Sequence, residues 1–414
     1  MLIALVLTGV LCAAGALGAD GAGASWPRFH GIKGDNISTE TGLLREWPDA
    51  GPKLLWTAKG LGHSFGSVTI ADGMIYTAGD IDKANVVTAM DTNGAVKWRT
   101  ENGACWKRST PGDRGTPAID RGRVYHENAH GAIVCLDAKT GNKIWGVDVA
   151  KKFGGRSNKA WGYSESLVLD GDRVICGPGG DTAMAALDAK TGKTVWKSPS
   201  AGEAASYATP IVVEHQGLRM VLNMSQKSLI GVNADTGDLL WKFEHRDKRY
   251  VANCVTPIFH DGRVFISHGY RKGSALLKVN VKGKLASVEP VWVSKDLDNR
   301  HGGVVLLDGY LYGASHWGIK GKWLCVEWAT GKTMYADKGV GEGSVVAADG
   351  MLYILSERRK VALVKPAPTG HDIVSQFTLP AGGKGATWAH PVVCGGRLYI
   401  RHGDRLYAYD VRAN

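Results

Sequence analysis

The sequence predicts an all-β protein, an eight-bladed β-propeller. A ten-residue phrase ending in an aromatic residue recurs along the chain, and a hairpin turn of the Asp-Gly type recurs eight times. Repeats of this length indicate a solenoid or a propeller. The last repeat stops one strand short, and a matching strand is present near the N-terminus. This offset favours a closed ring over an open solenoid.

The recurring phrase marks the turn between the third and fourth strands of each unit. Its clearest copy is residues 136–145, Leu-Asp-Ala-Lys-Thr-Gly-Asn-Lys-Ile-Trp, with related copies at 187–196, 232–241 and 326–335 and a shorter one at 90–98. Each copy predicts a strand end, a tight Thr-Gly turn and a second strand that ends in an aromatic anchor. The fourth-strand anchors number eight: Trp56, Trp98, Trp145, Trp196, Trp241, Trp292, Tyr335 and Phe377.

The hairpin turn between the first and second strands also occurs eight times. Asp and Gly tolerate the positive φ angles that two-residue hairpins require, so these turns predict tight strand pairs. The turns are Asp72-Gly73, Asp120-Arg121-Gly122, Asp170-Gly171, His215-Gln216-Gly217, Asp261-Gly262, Asp308-Gly309, Asp349-Gly350 and Gly395-Gly396.

The offset predicts how the ring closes. Trp56 precedes the first full unit, whereas the last unit, residues 396–410, ends without a fourth strand. We therefore expect residues 53–58 to complete the last blade, which removes two exposed sheet edges. The propeller then spans residues 52–414, after a lead-in segment at residues 20–51. We expect each anchor to pack on a neighbouring blade, with the turn glycine leaving room for the ring.

The first 19 residues have the pattern of a signal peptide. Residues 2–18 are apolar and small, and small residues precede a plausible cleavage point at Ala19-Asp20. The run is too short to favour a transmembrane span. Cys12 leaves a lipoprotein leader as an alternative, although Val10 and Leu11 are poor residues to precede a lipidated cysteine. We expect a periplasmic or secreted protein.

Cysteines and charge exclude several classes of function. The six cysteines after the leader form no Cys-x-x-Cys and no Cys-x-x-Cys-His motif, which argues against a cysteine zinc site and c-type haem. We expect buried thiols, with a disulfide left open. The net charge is +11, but the basic residues are spread along the chain, so we expect no nucleic-acid binding. The six are Cys105, Cys135, Cys176, Cys254, Cys325 and Cys394.

The phrase Leu-Asp-Ala-x-Thr-Gly-x-x-hydrophobic-Trp resembles the repeat of the pyrroloquinoline quinone (PQQ)-like eight-bladed propellers, over about residues 52–414. The lead-in, with Trp26-Pro27, Trp47-Pro48 and Gly51-Pro52, resembles exported PQQ-like proteins of planctomycete and verrucomicrobial bacteria. The resemblance implies the fold, and it leaves function open.

Two branches of that superfamily give two expectations. One is the outer-membrane assembly protein BamB, a scaffold without a cofactor. The other is the PQQ-dependent alcohol and sugar dehydrogenases, which hold the quinone between a disulfide of adjacent cysteines and a Trp, beside a calcium ion. Here Trp106 follows Cys105, so the adjacent pair is absent. The resemblance therefore implies no catalytic residues, with PQQ and calcium as the alternative.

Propeller ligands bind in the axial funnel, where the segments that precede each first strand converge. In these approach segments the chain carries rings, cations and acids, a mixture that suits an anionic or carbohydrate-like ligand. Bulky polar residues there can also serve only to fill the channel. The candidate ligand-binding residues are His63, Trp106, Arg108, Trp161, Tyr163, Glu165, Tyr207, Arg249, Asn253, Arg300, His301, Glu342, Trp388 and His390.

No metal site is predicted. Glu165 and Asn253 carry oxygen atoms of the kind that calcium binds, but two ligands are too few for a calcium site. His63, His301 and His390 are expected as hydrogen-bonded wall residues, and His126 and His130 at the rim.

The sequence predicts an exported, monomeric, non-catalytic propeller that binds protein partners as BamB-like scaffolds do, or a small anionic or sugar ligand in the funnel. Peripheral association with the cell envelope fits this reading. The alternative is a PQQ- and calcium-dependent dehydrogenase, or a relative with an altered quinone site.

Overall fold

The computed structural model describes residues 23–158, 160–247 and 252–413, and in that part the chain forms eight antiparallel blades around one axis. This confirms the predicted eight-bladed propeller. Each blade has four strands of its own, the first nearest the axis and the fourth outermost, and blade 7 carries a fifth strand from the lead-in segment. The predicted signal peptide, residues 1–19, lies outside the described residues, as does Arg249.

Blades 1 to 4 follow one another along the chain. Blade 1 comprises β3 (Thr69–Ala71), β4 (Met74–Ile81), β5 (Ala84–Asp91) and β6 (Val96–Ala104). Blade 2 comprises β7 (Ala118–Asp120), β8 (Arg123–Glu127), β9 (Ala132–Asp137) and β10 (Lys143–Asp148), and a short helix follows it, α1 (Val149–Phe153). Blade 3 comprises β11 (Val168–Asp170), β12 (Arg173–Cys176), β13 (Ala185–Asp188) and β14 (Thr194–Lys197). Blade 4 comprises β15 (Ile211–His215), β16 (Leu218–Met224), β17 (Ser228–Asn233) and β18 (Leu239–Glu244).

Blades 5 to 8 complete the ring. Blade 5 comprises β19 (Ile258–His260), β20 (Arg263–His268), β21 (Gly273–Lys282) and β22 (Leu285–Ser294). Blade 6 comprises β23 (Val304–Leu307), β24 (Tyr310–Ser315), β25 (Lys322–Glu327) and β26 (Thr333–Asp337). Blade 7 comprises β27 (Gly343–Ala348), β28 (Met351–Ser356), β29 (Lys360–Ala367) and β30 (Gly370–Thr378), with β1 (Ile37–Ser38) added in parallel to β27. Blade 8 comprises β31 (Val392–Cys394), β32 (Arg397–His402), β33 (Arg405–Asp410) and β2 (Lys53–Ala58).

Blade 8 joins the two ends of the propeller, as the offset in the repeats predicts. Strand β2 pairs antiparallel with β33, from Lys53 opposite Asp410 to Ala58 opposite Leu406. The N-terminal strand therefore covers an edge that the last repeat would leave open. Because the first and last repeats share this sheet, the ring has no gap between its ends.

Seven of the eight hairpin turns have the predicted backbone, whereas in blade 3 the turn is Gly171-Asp172 and only Gly171 has a positive φ. At Asp72 and Gly73 the φ angles are +51° and +71°, and at Asp261 and Gly262 they are +47° and +66°. Two consecutive positive φ angles match the right-handed twist of the flanking strands in a two-residue hairpin.

The tryptophan anchors bind the next blade. The indole N–H of Trp98 donates to the carbonyl of Ala138 at 3.0 Å, and that of Trp145 donates to Ala189 at 3.0 Å. The ring covers the Thr-Gly turn: a Cβ added at Gly141 would lie 2.6 Å from the Trp98 ring. Trp56, Trp196 and Trp292 make the same N–H contact with the blade that follows them.

Trp241 and Tyr335 depart from this pattern, because the blades that follow them have longer third hairpins. Strands β21 and β22 form a long hairpin, so their turn lies too far out to contact Trp241. The indole N–H of Trp241 has no partner among the described residues, and its ring lies on Gly231 of its own blade. The hydroxyl of Tyr335 lies 3.4 Å from Nδ1 of His371, which begins the long β30 hairpin arm. Phe377 packs on Gly51.

The lead-in segment threads the centre of the ring. Trp26 pairs with Ile70 in the innermost strand of blade 1, and the carbonyl of Pro27 accepts a hydrogen bond from Ile119 of blade 2. Further along, β1 lies on blade 7 and the hydroxyl of Ser38 donates to Val393 of blade 8. The segment thus satisfies inner-strand backbone groups of several blades and fills part of the channel.

All six cysteines of the described chain are free thiols, and all except Cys254 are buried. Within the described ranges, no helix has the length and apolar character needed to cross a bilayer.

Candidate functional site: the axial funnel

The funnel is built by one position that recurs in the repeats. The residue four places before the first strand lines a central cavity of about 170 Å³ in seven of the eight blades. These residues converge because the first strands lie nearest the axis. They are Phe65, Arg114, Ser164, Tyr207, Cys254, Arg300 and Trp388.

Six of the fifteen residues that line the cavity carry a Phe, Tyr or Trp ring. The Phe65 and Trp388 rings lie 5.0 Å apart between centroids, and Trp161 meets Tyr207 edge-on at 5.6 Å. Phe29 of the lead-in segment closes one side, where it stacks on His30 at 3.9 Å. The rings offer flat apolar faces to a ligand.

Two arginines place positive charge against these rings. The guanidinium carbon of Arg300 lies 5.7 Å from the Trp388 ring centroid, and that of Arg114 lies 5.3 Å from Phe65. Both distances are within the range of cation–π attraction. Arg114 Nη1 donates to the Gly112 carbonyl at 2.7 Å, which orients the side chain. Burial lowers the pKa of Arg114, but an arginine remains charged in proteins.

Several polar atoms at the cavity are buried without a hydrogen-bond partner in the described chain. They are Oγ of Ser164, the hydroxyl of Tyr207, Nε of Arg300 and Nδ1 of His301. Such groups cost free energy unless water or a ligand satisfies them. Burial raises the pKa of Tyr207, so its hydroxyl stays protonated and can donate.

The histidines of the wall form a neutral chain. His390 Nε2 lies 2.8 Å from the carbonyl of His301, and its Nδ1 lies 3.1 Å from Nε2 of His30. Burial lowers the pKa of His390 to about 4, and burial also lowers the pKa of His30 well below its usual range. These rings therefore contribute shape and hydrogen bonds near neutral pH, and little charge.

The structure brings six of the predicted site residues to the cavity: Trp161, Tyr207, Arg300, His301, Trp388 and His390. His63 lies directly behind one wall residue, with its ring edge-on to Phe65 at 5.1 Å. Glu342 is half-buried, and burial together with the charge of Glu357 raises its pKa.

Trp106 and Arg108 do not line the funnel. The loop into blade 2 is long, and its first strand begins only at Ala118, so the position that reaches the axis is Arg114. Trp106 packs instead against His130 at 5.3 Å, and Arg108 is exposed above the Trp106 ring.

Tyr163, Glu165 and Asn253 are buried between strands and hold the backbone together. The Tyr163 hydroxyl donates to the Pro178 carbonyl at 3.0 Å. Glu165 Oε1 accepts the backbone N–H of Gly177 at 2.5 Å, and Asn253 Nδ2 donates to Ser225 at 2.8 Å.

These residues do not fit a calcium-bound quinone. Burial raises the pKa of Glu165 to about 7, although hydrogen bonds from the Gly177 backbone and with the Glu127 carboxyl act in the opposite direction. A protonated carboxyl is a poor calcium ligand. Asn253 is engaged with backbone carbonyls, and Cys105 is buried beside Asp82 with no adjacent cysteine.

His126 is a correction to the sequence reading, which placed it at the rim. Its side chain is fully buried, and Nε2 lies 3.3 Å from the Asp113 carboxylate. The reason is that Asp113 of the loop into blade 2 and Asn102 of β6 cover the ring, with Asn102 Nδ2 lying 3.3 Å from His126 Nδ1.

Sequence reasoning missed Arg114, Phe29, Cys254 and Tyr270 as cavity residues. Arg114 and Cys254 could have been found by counting four residues back from each first strand. Phe29 and Tyr270 have no such signal, because they reach the cavity from the lead-in and from a loop after β20.

The fold and the funnel define a quinoprotein-like propeller. The chain belongs to the family described as outer membrane protein assembly factor BamB, which matches residues 83–337, more than half of the chain.

Relatives from two functional groups resemble it. Quinohemoprotein alcohol dehydrogenase ADH IIB from Pseudomonas putida is 29% identical over 153 residues, 34% of this chain and 22% of that protein. BamB from Shewanella oneidensis is 26% identical over 132 residues, 31% of this chain and 32% of that protein. The match thus spans less than a third of either relative. The crystal structure of BamB from Moraxella catarrhalis has a TM-score of 0.63 at 16% identity, covering 88% of this chain and 99% of that one, which shows the shared fold.

Proposed function

We propose that this chain is an exported, non-catalytic propeller that binds a small anionic ligand with a flat ring in its funnel. One observation carries the proposal: Arg114 and Arg300 stand over the rings of Phe65 and Trp388 at the same cavity. A flat ligand can lie against the aromatic faces while its acidic groups meet the guanidinium groups.

The chemistry of the lining favours a carboxylate over a neutral ligand. Arginine pairs with carboxylates through two parallel hydrogen bonds. The hydroxyls of Ser164 and Tyr207 add donors that lack partners in the described chain. An aromatic carboxylate supplies both the flat face and the acceptor oxygens, whereas a sugar acid supplies the oxygens and can stack only the C–H face of its puckered ring.

The test is a fluorescence titration of the purified mature protein. PQQ, a flat aromatic tricarboxylate, and a hexuronic acid serve as probes, and the 14 tryptophans supply the signal. Arg114→Gln removes a charge-assisted contact of about 1.5–3 kcal/mol, so binding should weaken about 10- to 150-fold. Arg108→Gln, an exposed arginine outside the cavity, should leave the affinity unchanged.

Two outcomes would contradict this proposal. If the wild type and Arg114→Gln bind the probe with equal affinity, the probe does not bind in the funnel. Calcium-dependent PQQ binding with dye-coupled alcohol oxidation would establish a dehydrogenase despite the missing cysteine pair.

A protein-scaffold role is the second candidate, because the family is named for outer membrane protein assembly. The outermost strand of blade 5, β22, exposes three apolar side chains: Leu285 is 71% exposed, Val293 58% and Val291 41%. An uncovered edge strand is a surface on which another chain can pair. A Leu285→Lys, Val293→Lys variant should then lose a specific partner recovered by cross-linking in envelope extracts. Recovery of the same partner by this variant would place the contact elsewhere.

A further inference from the structure

The excess of positive charge lies on one face of the ring. Neighbouring strands of a blade run in opposite directions, so the loop between strands two and three and the loop into the next blade both lie at the funnel mouth. In the described residues these loops hold nineteen Lys and Arg against eleven Asp and Glu. The hairpin turns at the opposite face hold six against seven. The repeat therefore gathers on one face basic residues that are far apart in the sequence.

Exposure makes this difference larger. Thirteen of the nineteen basic residues at the funnel face are exposed, against two of the acids, Asp82 and Asp181. The other acids are buried or half-buried, and some are paired within the protein. The Glu357 carboxylate, for example, accepts a hydrogen bond from Arg300 at 3.2 Å. A molecule that approaches this face therefore meets mainly cations, which raise the local concentration of anions.

Six successive loops of blades 5 to 8 each place one exposed cation on the funnel face. We call this set the basic arc. None of the five acids in the same six loops and the loop after β32 is exposed. The residues of the basic arc are Arg271, Lys295, Lys320, Lys338, Arg358 and Lys384.

Hydrogen bonds join neighbouring loops of the basic arc. The carboxylate of Asp298 accepts the backbone N–H groups of Arg271 and His316, both at 2.9 Å. The backbone N–H of Glu357 donates to the carbonyl of Glu342 at 2.9 Å. The loops that carry the cations are therefore held in fixed positions relative to one another, as a binding surface requires.

Two aromatic rings lead from the basic arc into the funnel. The Trp317 side chain is 40% exposed, and its ring centroid lies 5.9 Å from that of Tyr270, which lines the cavity. Of the large apolar side chains that are exposed in the described chain, only Trp317 lies in the loops of the arc. A bilayer surface is bound more strongly when apolar area is buried in it, and this face offers little. The arc therefore suits a hydrated polyanion better than a lipid surface.

We propose that the basic arc binds an acidic polysaccharide, a chain of uronic-acid units whose carboxylates pair with the exposed cations. Lys and Arg form charge-assisted hydrogen bonds with carboxylates, and one cation in each loop matches a polymer that carries one charge in each unit. A sugar ring can stack its C–H face on Trp317. The six cations lie outside the funnel cavity, so this inference goes beyond the funnel ligand and does not require it.

The test is a calorimetric titration of the whole mature chain with polygalacturonate at low and at high salt. We expect saturable binding that weakens as salt screens the exposed charges. The triple variant Lys320→Glu, Lys338→Glu, Arg358→Glu should weaken binding about 10-fold or more, because three charge pairs are lost.

The matched control is Lys139→Glu, Lys190→Glu, Lys332→Glu. It makes the same change in net charge at exposed lysines of the Thr-Gly turns, on the opposite face. Its affinity for the polymer should stay within about 2-fold of the wild type, because these charges lie a ring's thickness from the arc and are screened. Circular dichroism and the Tm show that each variant is folded, and Lys320→Glu alone should change the affinity in the same direction.

Several results would overturn the proposal. They are an equal loss of affinity in both triple variants, equal binding of neutral dextran, and tighter binding of phosphatidylglycerol vesicles than of the polymer. The galacturonic acid monomer separates this proposal from the funnel site. Arg114→Gln should weaken binding of the monomer, whereas the arc variant should bind the monomer as the wild type does. Each proposal can therefore fail while the other stands.

Discussion

At the scale of single residues, two fully buried glutamates are in direct contact with each other. Glu127 and Glu165 lie side by side between blades 2 and 3, close enough for a hydrogen bond between their carboxyl groups, and the Glu127 oxygens have no other partner in the described chain. Burial, followed by the charge of Glu165, raises the pKa of Glu127, and burial raises that of Glu165 to about 7. Two like charges cannot both ionise at this distance without a large cost, so the pair retains a proton.

This pair predicts a stability that falls as pH rises. An unfolded glutamate titrates near pH 4.3, so between about pH 4.5 and 7 the folded state binds more protons than the unfolded state. Glu127→Gln removes the repulsion. The difference in free energy of unfolding, variant minus wild type, should be more positive at pH 8 than at pH 5 by about 1–3 kcal/mol. Urea unfolding at both pH values measures this, and an equal difference at pH 5 and pH 8 would contradict it.

At the scale of elements, the contact between an anchor and the next Thr-Gly turn sets the spacing of the blades. Gly141 has a φ of +75°, and its Cα faces the ring of Trp98. The turn therefore requires glycine for two separate reasons, the backbone angle and the space.

The chain offers a substitution pair that separates these reasons. Gly73 has a φ of +71°, and no atom lies within 4 Å of a Cβ added there. Gly73→Ala should therefore lower the free energy of unfolding by about 1–2 kcal/mol, for the backbone angle alone. Gly141→Ala should cost about 1–3 kcal/mol more, because its Cβ would lie 2.6 Å from Trp98. Denaturant unfolding of both variants gives the difference. Equal costs would mean that the indole contact does not constrain the blades.

At the scale of the whole molecule, the lead-in segment joins blades that are distant in sequence. Trp47 is 4% exposed and packs on Tyr353 of blade 7 and Phe377, with ring centroids 5.8 and 5.6 Å away. Its backbone N–H donates to the hydroxyl of Ser375 at 2.8 Å. The segment therefore belongs to the core of the propeller.

Trp47→Ala should consequently destabilise the whole ring. Removing a buried tryptophan costs about 3–5 kcal/mol. Trp317→Ala is the comparison, because Trp317 is 40% exposed and its loss should cost about 1 kcal/mol or less. Unfolding followed by fluorescence and by circular dichroism should show one transition in both variants. If Trp47→Ala is as stable as the wild type, the segment contacts the ring without contributing to its stability.

The sequence by itself determined the fold class, the blade count, the hairpin turns and the closing strand. These follow from short-range patterns, such as Asp72-Gly73 and residues 136–145, that repeat until the number of units can be counted. It also located six of the cavity residues, because bulky residues such as Trp161 and Trp388 stand out before a first strand.

Only the tertiary structure decided which side chains meet. Arg114 reaches the axis because the loop into blade 2 is long, and Phe29 reaches it because the lead-in threads the channel. His301, His316 and Glu357 come together across two blades. Loop length and the packing of distant segments depend on the closed ring as a whole, and no local pattern of residues encodes them.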